Sequence, residues 1–140
     1  MTHHLEHDNQ VTFFQIMEFV EHEAAGVTFA VPNGARLRSV QHARRVHDEG
    51  MRSGVPDIIC AAPYRGKAGL AIEMKVGKNK PTPNQVMWHT RLQHFGWQVS
   101  VCYSAMSAFM VWADYVNMHV HERERVMRNF FPEAYMESQS

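Results

Sequence analysis

The stretch PDIICAAPYRGKAGLAIEMK, residues 56–75, decides the fold. Its two apolar runs, PDIICAA and GLAIEMKV, flank PYRGKA, a short loop with Pro63 and Gly66, and this pattern predicts a β-hairpin. In the second run Leu70, Ile72, Met74 and Val76 alternate with Ala71, Glu73, Lys75 and Gly77. Strand side chains alternate between faces, so Glu73 and Lys75 point the same way, opposite the core-packing set. Asp57 opens the first run directly after Pro56. Its carboxylate reaches Glu73 only in one register, which the sequence leaves open.

Two carboxylates at close range repel, and desolvation adds to the cost. Such a pair is stable with a shared proton or with a cation between them. Hard oxygen ligands, with no Cys or paired His in the same run, favour Mg²⁺ or Mn²⁺ over Zn²⁺. Lys75 beside such a site is suited to position a water and to counter charge building on a phosphate.

Outward from the hairpin, residues 6–24 carry apolar residues near helical spacing with acids opposite, and Gly26 ends this first helix. VTFAV, residues 27–31, reads as a strand running into a Pro32-Asn33-Gly34 turn. Ser39 caps a second helix with Val40, Ala43, Val46 or His47 and Met51 as its apolar stripe and Arg44 and Arg45 facing away. Thr82 caps a third, with Pro83 in its first turn, Trp88, Leu92 and Phe95 on one face, and Gly96 as its stop. WQVSVCYS reads as a strand and SAMSAFMVWADYV as a helix. The tail after residue 116 has no clear assignment, and either packs back on the domain or meets a partner. The order of elements predicts an α/β sandwich with a small mixed sheet.

The chain has 140 residues, the length of a single domain, read here as 1–140 with a core at about 6–116 and a tail at 117–140. Its composition, 45% apolar and 20% charged, is that of a soluble globular protein. No apolar run is long enough to span a membrane and the N-terminus is polar, so a cytoplasmic protein is expected. Cys60 and Cys102 sit inside apolar β-like runs and read as buried thiols.

The formal net charge is zero, but residues 36–80 hold ten Lys or Arg against four acids. That block is +6 and the remainder −6. A basic block between acidic flanks fits a local polyanion footprint as well as it fits a solvated face. Arg65 and Lys67 read as ordinary loop charges. The ten histidines, among them His3-His4 with His7 and His119-x-His121, complete no zinc spacing and read as surface residues. Trp88, Trp97 and Trp112 read as core or interface. Gly66-Lys67 lacks the glycine and the Ser or Thr of a phosphate-binding loop, so no nucleotide cofactor is expected.

Taken in line, Gln10, Val31 to Gly34 (VPNG), Gly50 to Asp57 (GMRSGVPD), Glu73-x-Lys75, Gln85 and Trp88 resemble the VRR-NUC family, the virus-type replication-repair nuclease domain of the PD-(D/E)XK superfamily. The resemblance covers roughly residues 6–110 and is to the free-standing phage or bacterial type. It implies a restriction-endonuclease-like three-layer sandwich and a metal-dependent endonuclease using Mg²⁺ or Mn²⁺. Asp57, Glu73 and the Met74 backbone carbonyl are then the metal ligands, Lys75 orients the attacking water, and Gln85 stands near the active site. Family members often add a Glu from the first helix; Glu6 is the candidate, with Asp8 and Glu18 as alternatives. Arg36, Arg38, Arg44, Arg45, Lys78 and Lys80 would contact DNA. Small free-standing members resemble homodimers that cleave four-way (Holliday) junctions. The alternatives are a flap- or duplex-cutting nuclease and a non-catalytic DNA-binding module that keeps the fold.

Overall fold

A computed structural model describes residues 2–32 and 39–140, with side chains from residue 5 onward. Arg36, Arg38, the Asn33-Gly34 part of the turn, and the side chains of His3 and His4 lie outside what it describes.

The four strands are β1 (Thr28–Ala30), β2 (Ile58–Cys60), β3 (Leu70–Met74) and β4 (Gln98–Cys102), in the spatial order β1-β2-β3-β4. β1, β2 and β3 pair antiparallel, and β4 joins β3 in parallel after the crossover helix α3 (Pro83–His94), so the sheet is mixed. The predicted hairpin is present, with Ile58 paired to Ile72, Ile59 to Ala71 and Cys60 to Leu70.

Those pairings sort the side chains onto two faces. Ile58, Cys60, Leu70, Ile72 and Met74 pack against α1 (Thr2–Phe19) and α4 (Ala105–Tyr115), which supply Phe13, Ile16, Met17, Phe109 and Trp112 to one core. Ile59, Ala71, Glu73, Val99 and Val101 have the opposite parity in register and face the side that carries α3. The result is three layers, helices on both faces of a small sheet. The second face is covered as well: Ala71 is 0% and Glu73 1% exposed.

The first helix ends at Phe19, short of Gly26. His22 adopts an extended conformation and its Nδ1 accepts the Ala24 amide at 3.0 Å, starting a separate 3₁₀ turn at Glu23–Val27. The helix α2 (Val40–Asp48) forms because Ser39 Oγ accepts the His42 amide at 3.0 Å, while Arg52 donates to the His47 carbonyl near its end. Its predicted apolar stripe buries nothing, and Val40 is 84% exposed. Phe95 sits past the end of α3 as its C-cap and is exposed, so it does not extend the apolar face of that helix. Trp112 is fully buried, whereas Trp88 and Trp97 are half-buried.

The tail is helical and packs back: α5 (Val120–Phe130) and α6 (Pro132–Ser138) follow α4. Phe130 meets Phe19 edge to face, and the Arg125 guanidinium stacks 4.0 Å over the Phe19 ring while pairing with Glu122. Arg65 at the hairpin tip donates to Asn117 Oδ1 at 2.9 Å, which ties that loop to the α4–α5 turn.

One buried polar chain joins the edge strand to α4. Thr28 Oγ1 donates to the Ala24 carbonyl at 2.8 Å and accepts from Trp112 Nε1 at 3.0 Å. Thr28→Val keeps the shape but leaves the indole N–H without a partner, at a cost of about 1–3 kcal/mol. The urea midpoint should fall at unchanged slope, with Thr28→Ser close to wild type; equal midpoints for Thr28→Val and wild type would remove this bond from the account.

Candidate active site

The observed register answers the question that the sequence leaves open. One step beyond the Ile58 to Ile72 pair, Asp57 comes to lie opposite Glu73. Asp57 Oδ2 accepts the Met74 amide at 2.8 Å, and the Asp57 carbonyl accepts the Val31 amide at 2.8 Å, so the residue is anchored to both neighbouring segments. Pro56 just before it is fully buried.

The first turn of α3 holds Glu73. Thr82 Oγ1 accepts the Gln85 amide at 3.2 Å while Gln85 Oε1 accepts the Thr82 amide at 2.8 Å, a capping box. With its oxygen engaged, the Gln85 amide is oriented so that Nε2 donates to Glu73 Oε2 at 3.3 Å. Gln85 is thus both a helix cap and a carboxylate donor, a more definite role than a solvent-facing helix glutamine.

One helical turn further on, His89 presents Nε2 to Glu73 Oε1 at 3.7 Å, too far for a hydrogen bond. Both atoms are buried without a hydrogen-bond partner. Sequence reading misses His89 because it counts only apolar residues on the α3 stripe. The available signal is its spacing, since a helix that turns Gln85 toward the sheet turns residue 89 the same way.

The electrostatics follow from burial. Glu73 is raised from 4.5 to about 9, first by desolvation, then by the neighbouring Asp57 carboxylate, against a lowering effect of Lys75; Glu6 in α1 adds to the rise. His89 is lowered by desolvation and by the Lys75 charge. At neutral pH the imidazole is therefore neutral and the Glu73 carboxyl protonated, and their approach is not an ion pair.

Of the three first-helix acids, Glu6 is the one whose charge acts on Glu73, while Asp8 and Glu18 are exposed. Lys75 is half-buried and forms no ion pair among the described residues. Arg44, Arg45, Lys78 and Lys80 are exposed, and none of them forms an ion pair among the described residues. Tyr103 Oη donates to the Asn79 carbonyl at 2.9 Å and holds the loop that carries both lysines against the end of β4.

Among the described residues no three His, Cys, Asp or Glu side chains form a ready-made metal cage. The donors at Asp57 and Glu73 nevertheless fit a hard divalent ion. Glu73 has one buried oxygen without a hydrogen-bond partner, and the Asp57 carboxylate beside it favours the protonated form, so a cation there would relieve the same repulsion. His22 and His119, which line a cleft with His121 beside α5, fit a metal poorly. Each uses Nδ1 to accept a backbone amide, which keeps the proton on Nε2.

The sequence profile described as VRR-NUC domain matches residues 6–106. A solved structure described as a VRR_NUC domain protein superposes with a TM-score of 0.70 over 81% of this chain and 89% of its own, at 19% identity. No curated protein matches the chain. The structural likeness establishes the fold, a mixed sheet flanked by helices.

The raised Glu73 carboxyl predicts a pH dependence. The folded chain favours its protonated form, so this stabilisation is complete below about pH 4.5 and is lost as the pH rises through about 9. In protein stripped of divalent ions, Glu73→Gln should match wild type near pH 4 and unfold at a progressively higher temperature than wild type up to about pH 9. A parallel decline of Tm in both proteins would assign the dependence to another group.

Proposed function

The chain belongs to the VRR-NUC domain family, and on that premise we propose that it is a Mg²⁺- or Mn²⁺-dependent DNA endonuclease that hydrolyses phosphodiesters, cutting four-way junctions as a homodimer. The observation that carries the reading is the buried Glu73 carboxyl opposite Asp57, with one oxygen lacking a hydrogen-bond partner and Lys75 two residues on. A core strand gains no stability from such a pair, so its retention fits a site better than a scaffold.

Asp57, Glu73, the Met74 carbonyl and Glu6 are the groups that would hold the ion, which when bound supplies Lewis-acid stabilisation of phosphate charge and acidifies water. Lys75 orients the attacking water and balances charge that develops on the phosphate. Gln85 keeps Glu73 in one rotamer through its donated hydrogen bond. His89, neutral because it is buried, backs the other Glu73 oxygen without cancelling the carboxylate charge that binding requires.

The basic residues Arg44, Arg45, Lys78 and Lys80, with Arg36 and Arg38 from the same segment, supply phosphate contacts whose strength falls with salt. The junction preference and the dimer come from the resemblance to small free-standing family members. A two-fold dimer presents identical sites to two opposed strands, as symmetric junction cleavage requires.

A panel of labelled duplex, flap and four-way DNA, incubated with and without Mg²⁺ or Mn²⁺, tests the whole reading. Wild type should cut only with metal and should prefer the four-way substrate, and light scattering should give twice the chain mass. Lys75→Ala should lose about 10²–10³-fold in cleavage while keeping its affinity for DNA. No cutting on any substrate sinks the nuclease, and equal cutting of plain duplex sinks the junction preference.

A further inference from the structure

Asn84, the residue between Pro83 and Gln85 in the first turn of α3, reaches away from Glu73 toward the segment that delivers Asp57. Its Nδ2 donates to the Ser53 carbonyl at 3.0 Å and lies 2.9 Å from Ser53 Oγ. The next residue, Gly54, has φ +87°, and a Cβ placed on it would meet Asn84 Nδ2 at 2.7 Å, Cγ at 2.9 Å and the Asn84 backbone carbon at 3.1 Å. The Ser53–Gly54 turn is therefore pressed onto the helix with no room for a side chain, and glycine is needed there for both conformation and contact. Three residues after Gly54 comes Asp57, reached through the fully buried Pro56 and fixed by its bond to the Met74 amide.

Adjacent residues of one helical turn thus grip the two carboxylate-bearing segments: Asn84 the Ser53–Asp57 segment, and Gln85 the Glu73 side chain. The capping box that fixes Gln85 also fixes the turn from which Asn84 projects. We propose that Asn84 is a positioning residue that, by clamping the Ser53–Gly54 turn to α3, sets the separation of Asp57 from Glu73. This rests on the reading of those two residues as metal ligands, and it adds a role for a residue that touches neither of them.

The physical case is one of precision. The donor side chains of a metal site hold their geometry through the groups behind them, and removing such a group typically weakens metal binding or activity by about ten- to a hundredfold. The Asp57 carboxylate itself accepts one hydrogen bond, from the Met74 amide, and the Asp57 backbone accepts one from the Val31 amide. A turn freed at Ser53 would let Pro56-Asp57 shift along that pairing. Both grips come from one helix, so the Ser53 turn and the Glu73 carboxyl share one support.

Asn84→Ala tests the clamp by two readouts. Hydrogen exchange of the Met74 amide, which reports its bond to Asp57, should accelerate at least tenfold, while the Ala108 amide in α4 stays at the wild-type rate. Mn²⁺ affinity by calorimetry should fall about ten- to a hundredfold, with binding of four-way DNA in Ca²⁺ unchanged. Ser53→Ala, which removes only the hydroxyl, should give a smaller change in the same direction and serves if Asn84→Ala fails to fold. Gly54→Ala should be less harmful in the Asn84→Ala background than in wild type, because the side-chain clash is gone. If Mn²⁺ binds neither wild type nor variant, the nuclease reading fails, while accelerated Met74 exchange still upholds the clamp. Wild-type exchange at Met74 in both Asn84→Ala and Ser53→Ala overturns it.

Discussion

The Met74 amide donates to Asp57 Oδ2 at 2.8 Å across the pairing of β2 with β3, and most of the site follows from that pairing. It sets Ile58 against Ile72 and Cys60 against Leu70 on the core face, and so leaves Asp57 and Glu73 opposed on the other. A slip of one residue would turn Ile58 and Cys60 out of the core and Asp57 into it. The apolar contacts that hold the core thereby also hold the two carboxylates in register.

The cost of that arrangement falls on Glu73, a fully buried carboxyl raised to about 9 by desolvation and by Asp57. The fold tolerates it by keeping the proton on and by bringing α3 over it. Gln85 supplies one hydrogen bond, and His89 lies close but unbonded. A purely structural strand would satisfy both oxygens. One Glu73 oxygen accepts from Gln85 and the other is buried without a hydrogen-bond partner, the feature on which the proposed metal site rests.

The helices divide the labour. α1 and α4 supply nearly all of the core side chains that come from helices, whereas α3 buries only His89 and spends its first turn on polar contacts with the Ser53 turn and Glu73. α2 buries no side chain and keeps Arg44 and Arg45 exposed, as a helix facing an anionic partner or water does. The tail helices close the far end of α1 through Phe19, Arg125 and Phe130, away from the carboxylates.

The sequence by itself determined the features whose causes are local to the chain. Alternation in GLAIEMKV made a strand, Ser39 and Thr82 capped helices, and Pro63 with Gly66 turned a hairpin, because period, cap and turn chemistry act within a few residues. The collinear motifs, read together, marked Asp57, Glu73, Lys75 and Gln85 as a set and pointed to the family. Tertiary structure alone decided the register, since nine residues separate β2 from β3 and no tight turn dictates the pairing. It also decided that the Glu73 face is covered, that His89 and Asn84 stand behind the site, that Glu6 is the first-helix acid acting on Glu73, that the α2 stripe buries no side chain, and that Phe95 stays exposed. These outcomes depend on which surfaces meet across 10 to 70 residues of chain, and packing between distant segments is not written in the spacing of either one.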